Sequence, residues 1–94
     1  MEDAATRRAQ RYEERLEQRL LDIERNAAFG GPEAQAKARK DAHRHYRQWG
    51  QDLREVSLLL AEGEIGADHH GPLEAKKALL LLRIARVFRV INPN

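Results

Sequence analysis

The chain of 94 residues contains no cysteine. Disulfides, thiol nucleophiles and thiolate metal sites are therefore excluded, and a reducing compartment is compatible with the composition. Hydroxyl chemistry is nearly as scarce, since Ser57 and Thr6 are the only residues of their kinds. No glycine-rich phosphate loop of the Walker or dinucleotide type is present. None of the acids is set in an apolar context that would tune it, so an enzyme is not expected. Aromatic residues are few: Tyr12, Phe29, Tyr46, Trp49 and Phe88. Alanine and leucine supply much of the apolar content, which favours helices. The only long apolar run is broken by Arg83, Arg86 and Arg89, and the acidic start lacks the charged-then-apolar layout of a signal peptide. These absences predict a soluble, cytoplasmic protein that does not bind membranes.

What the chain does have is helical periodicity. A chain of this length makes one domain, small enough that oligomerisation would help its stability. The densest apolar stretch, Gly71 to Ile91, places Leu73, Leu80, Leu81, Ile84, Val87, Phe88 and Ile91 on one face at about 100° per residue. Any core must be built against that face. The opposite flank interleaves Arg83, Arg86 and Arg89 with Leu79, Leu82 and Val90, so the helix is apolar on more than one side. Either neighbouring helices of the same chain or a second protein could cover the extra surface.

Upstream, Ala5, Ala9, Tyr12, Leu16, Leu20, Ile23 and Ala27 form one narrow stripe, predicting a helix over about 3–28 with Asp3 or Thr6 as its cap. Phe29-Gly30-Gly31-Pro32 reads as a helix stop followed directly by a helix start, with glycine able to take a left-handed cap. The second helix, about 32–62, carries a heptad-like seam of Ala42, Tyr46, Trp49, Leu53, Val56 and Leu60. Gly50 lies inside it, either making room for a packed neighbour beside Trp49 or permitting a bend. Gly63 to Gly71 reads as a loop, and Pro72 opens a last helix over about 72–91. The fold class is thus all-α: a long antiparallel hairpin with a shorter third helix against its open end, expected to dimerise through that helix.

Charge is nearly balanced, 17 Lys and Arg against 15 Asp and Glu, so its distribution matters more than its sum. Lys37, Lys40, Arg44, Arg47, Gln51 and Arg54 recur at intervals of three and four, a basic ridge facing away from the Trp49 seam. As an ordinary solvated face it would pair Lys37 with Asp41; as a docking surface it suits phosphates or an acidic protein. His69 and His70, with Asp68, Glu62 and Glu64, make a loose cluster without a recognised ligand spacing, and neither metal nor cofactor is expected. The function these features predict is a non-enzymatic adaptor or inhibitor docking on an acidic or groove-like surface of a partner protein. Its contacts would be Lys37, Lys40, Arg44, Arg47 and Arg54 for steering and register, the leftover apolar surface around Leu79, Leu82 and Val90 for affinity, and the second basic set of Arg83, Arg86 and Arg89 beside it. A nucleic-acid-binding regulator using the same ridge, or a structural subunit of a larger assembly, are the alternatives.

Overall fold

A computed structural model describes residues 3–63 and 66–93, which form three α-helices and, among the described residues, no strand. Helix α1 spans Ala4–Phe29, α2 Pro32–Glu62 and α3 Ala67–Ile91. Asp3 caps α1: the Thr6 N–H donates to its Oδ1 at 2.7 Å. That bond to the charged form holds the Asp3 carboxyl below its usual range.

The Gly30-Gly31 turn works differently from the expected left-handed cap. Gly30 is extended, at φ −76°, and its N–H donates to the Asn26 carbonyl at 2.9 Å. A Cβ on Gly30 would meet that oxygen at 2.5 Å, so close approach is what requires glycine here. The left-handed cap is at the other end of α2, on Gly63 at φ 68°. Pro32 occupies the opening of α2, where its missing N–H costs nothing.

Helix α3 begins five residues earlier than Pro72, and Pro72 lies inside it. Pro72 is the sixth residue of α3, past the first N–H groups that lack intrahelical acceptors, so it removes one backbone bond and its ring crowds the carbonyl four residues back, a cost confined to the second turn. His69 closes the first turn, its N–H donating to the Gly66 carbonyl at 2.9 Å. His69, His70 and Gly71 are therefore helical, not loop; Glu64 and Ile65 of the expected loop lie outside the described residues.

The core draws Leu16, Leu20 and Ile23 from α1, Ala38, Ala42, Trp49 and Val56 from α2, and Leu80 and Val87 from α3. Leu53, Leu60, Leu73, Ile84, Val90 and Ile91 pack against it half-buried. Three expectations are corrected here. Leu81 and Phe88, assigned to the core face of α3, are exposed, with Phe88 instead meeting the Tyr46 ring at 6.1 Å between centroids. Val90, assigned to leftover surface, packs on the core. Ala5, Ala9 and Tyr12 stay exposed, so the α1 stripe is covered only from Leu16 onward. Helix α3 is the shortest of the three, and its far end reaches the turn, where Val90 and Pro93 share a cleft with Ala27, Ala28 and Gln35.

The result is an open shape. Its Cα radius of gyration is 15.9 Å, where a compact chain of this length gives about 12 Å. The extents are 49 × 35 × 16 Å, little more than two helix layers in the thin direction.

Gly50 has open space around it, with nothing within 4 Å of a Cβ built there, so it makes room for no neighbour. Gly50→Ala is therefore expected to stabilise the protein by about 1 kcal/mol through helix propensity alone. For a domain of this size that corresponds to a rise of about 4–8 °C in thermal midpoint by circular dichroism. A fall in midpoint would mean that α2 bends there with a purpose.

Candidate functional site

Helix α1 divides its charge between two flanks. At about 100° per residue, Arg8, Arg11, Arg15 and Arg19 lie on one side of the Leu16–Leu20–Ile23 stripe, and Glu13, Glu17 and Glu24 on the other. The two flanks meet different neighbours.

The glutamate flank meets α3. Arg83 pairs with Glu13, and Arg86 pairs with Glu17 and Glu24. The Arg86 Nη1 donates to both carboxylate oxygens of Glu17, at 2.9 and 2.7 Å, while its Nη2 donates to Glu24. These bonds raise the Arg86 pKa above its ordinary value. Among the described residues these are the only ion pairs, so Arg83 and Arg86 are engaged within the chain and hold α3 to α1. Because Glu13 and Glu17 meet Arg83 and Arg86 in the same order, the two helices run in the same direction. Beside this network Leu79, Leu82, Ala85 and Arg89 line a shallow cleft of about 350 Å³. Leu79 and Arg89 are exposed, and Leu82 is 67 % exposed.

The arginine flank meets α2 across a groove of about 730 Å³. Arg15 and Arg19 form one wall and Arg44, Arg47, Gln48 and Gln51 the other, over a floor of Tyr12, Leu16, His45 and Trp49. No carboxylate lines it. His45 stacks on Trp49 with ring centroids 4.7 Å apart, one helical turn away, as their spacing suggests. Burial pushes the His45 pKa down; Arg19 and Arg44 push it the same way, and Asp41 opposes them. The site thus disfavours one more positive charge.

All five cations expected on the α2 ridge, Lys37, Lys40, Arg44, Arg47 and Arg54, are exposed. The pair between Lys37 and Asp41 does not form among the described residues. Arg44 and Arg47 reach the groove, while Lys37 lines an adjoining recess with Arg19, Asp41, Arg44 and His45. Sequence reasoning missed the α1 half of this site. Its signal was present, as four arginines at intervals of three, four and four.

Two further features are simple to place. His69 and His70 are exposed on the first turns of α3, and no group of three potential metal ligands occurs among the described residues. Among the described residues, no helix is long and apolar enough to cross a membrane. Compared with protein-family models, curated proteins and solved structures, the chain matches none.

Proposed function

We propose that the protein is a small non-enzymatic adaptor or regulator that docks on a partner protein and is itself a homodimer. The observation that carries this reading is surplus surface. The chain exposes 7437 Å², whereas a compact monomer of 10.8 kDa exposes about 5,500 Å² by the usual mass scaling. The surplus, on the order of 1,900 Å², is about twice what one partner loses in a standard interface, near 800 Å². There is room for both a twin and a client.

The two flanks of α3 suit these roles unequally. Leu79 and Leu82 lie beside Arg89 and the Arg83–Arg86 network, a combination of apolar anchor and positive charge that fits an acidic partner. An isologous interface on that flank would set one arginine row against another. The other flank, with Leu81, Phe88 and Tyr46, has no such row and suits a second copy. The inhibitor class falls within this reading, since a docked helix can block as well as bridge. In place of the free contacts first expected of them, Arg83 and Arg86 act by shaping the surface.

The test is capture from nuclease-treated native lysate by the tagged chain, beside a variant carrying Leu79→Glu and Leu82→Glu. A stoichiometric protein partner is expected, with recovery falling at least tenfold in the variant while sedimentation still reports a dimer. Equal recovery by both proteins would remove the flank from the proposal, and a high-order oligomer in place of the dimer would favour a structural subunit.

A further inference from the structure

The structure joins two rows of cations that are distant in sequence. Arg8, Arg11, Arg15 and Arg19 extend over about 16 Å of α1, and the ridge from Lys37 to Arg54 over about 25 Å of α2, at a rise of roughly 1.5 Å per residue. Arg15, Arg19, Arg44 and Arg47 converge on the groove, none of them in an ion pair. Beyond the groove the basic track continues in both directions. Arg8, Arg11 and Arg15 line a recess with Tyr12 on α1, and Lys37 lines the recess beside Arg19 and Arg44. Asp41 lines the recess beside Lys37, and by helical spacing Asp22 on α1 and Glu33 and Glu55 on α2 fall beside the ends of the two rows, leaving the groove itself without a carboxylate. This surface lies across α1 from the Leu79 and Leu82 flank, so it is independent of the protein-docking reading.

Four clustered, unpaired guanidinium groups repel one another, and an anionic ligand would relieve that repulsion. The surroundings narrow the choice of anion. A docked acidic helix would need an apolar anchor point, yet Leu16 and Trp49 on the floor are each only 7 % exposed. Affinity must therefore come from charge and from the one open aromatic, Tyr12, at 65 % exposure. Cations repeating about every 5–6 Å along both walls match a ligand whose charge also repeats along its length. The groove is a surface furrow between two packed helices, so a duplex would rest on its rims, whereas one strand can lie along it with phosphates toward the walls. Arginine suits this task because its planar fork bonds phosphate in a bidentate manner. A base stacked on Tyr12 adds affinity without sequence preference.

We propose that the groove between α1 and α2 binds single-stranded nucleic acid, holding the phosphate backbone with Arg15, Arg19, Arg44 and Arg47 and stacking a base on Tyr12. The site reads no sequence, and DNA and RNA strands share the chemistry it recognises.

Fluorescence anisotropy with a labelled mixed-sequence oligonucleotide of roughly 12 nucleotides tests this, using the full chain and separate DNA and RNA probes. Four neutralised phosphates predict a slope near −3 for log affinity against log salt, at about −0.7 per contact. Arg15→Gln with Arg19→Gln should reduce the slope by about 1.4, and so should Arg44→Gln with Arg47→Gln. Tyr12→Ala should weaken binding about fivefold or more at unchanged slope. All five side chains are exposed, so the variants are expected to keep the helicity of the parent, measured on the same samples. Absence of binding at low salt, or a slope indifferent to both arginine pairs, would overturn the proposal. A duplex that outcompetes the strand would also overturn it. So would poly-glutamate displacing the strand equally well with Tyr12 irrelevant, which would give the groove to an acidic protein.

Discussion

Trp49→Ala is expected to lower the thermal midpoint by about 15–30 °C, the largest effect of any single truncation in the chain. The estimate follows from how little else the core contains. Of the nine buried side chains among the described residues two are alanines, Ala38 and Ala42, and Trp49 is the largest of the remainder. Truncating a buried Trp to alanine typically costs about 3–5 kcal/mol, from lost transfer energy and the cavity left behind. A domain of this length has on the order of 5–14 kcal/mol in total, and one that exposes so much surface belongs toward the low end. At about 4–8 °C per kcal/mol the shift is large enough to leave much of the chain unfolded at 37 °C. Trp49→Phe should lose much less, because most of the ring volume remains. Thermal melts followed at 222 nm give the answer. A drop smaller than about 5 °C would show that α1 and α2 are held by something other than this ring.

Trp49 also marks where the sequence was easy to read and where it was not. The spacing of Leu16, Leu20 and Ile23 on α1, and of Ala42, Trp49 and Val56 on α2, placed both helices and the faces they bury. Both ends of α2 follow from Pro32 and Gly63. The same periodicity over-extended the α1 seam, because Ala5 and Ala9 have the right spacing but too little side chain to repay ordering against a neighbour. Phe88 and Leu81 were misjudged for a related reason. The α3 apolar arc is wider than one neighbour can cover, and a helical wheel does not show which part of it the neighbour takes. The start of α3 was missed because Gly71-Pro72 resembles a helix opening, whereas the helix begins at Ala67 and runs on through Pro72.

The candidate site was half legible. The α2 ridge could be found from spacing alone, since it needs only one helix. The groove needs two helices and, in addition, the side on which the third one lies. With α3 on the opposite flank of α1, Arg15 and Arg19 would have lost the groove and the glutamates would have faced it. Handedness of that kind is a property of the packing and is not written in any local spacing.

Arg86→Glu tests what sets that handedness, with an expected loss of about 2–3 kcal/mol. The wild-type guanidinium serves two carboxylates at once, bidentate to Glu17 and through its other nitrogen to Glu24, with its side chain 26 % exposed. Partly exposed ion pairs contribute about 0.2–1 kcal/mol each. Reversal forfeits two of them and sets a third carboxylate beside Glu17 and Glu24, adding repulsion of similar size. Adding Glu24→Arg to the reversed protein should recover about half the loss, since one pair is restored while Glu17 still opposes residue 86. Raising the salt should narrow the gap between reversed and parent proteins, as screening weakens attraction and repulsion alike. Chemical denaturation of the three proteins in low and high salt measures all of this. A reversal that costs nothing would mean that the apolar stripe alone fixes α1. If the network does fix it, the consequence reaches the far side of the helix. The flank that binds α3 and the flank that lines the groove belong to one rigid cylinder, so loosening the glutamates should also spread Arg15 and Arg19 away from Arg44 and Arg47. Arg86→Glu should then weaken oligonucleotide binding without touching a groove residue, and the Glu24→Arg addition should restore part of both stability and binding together.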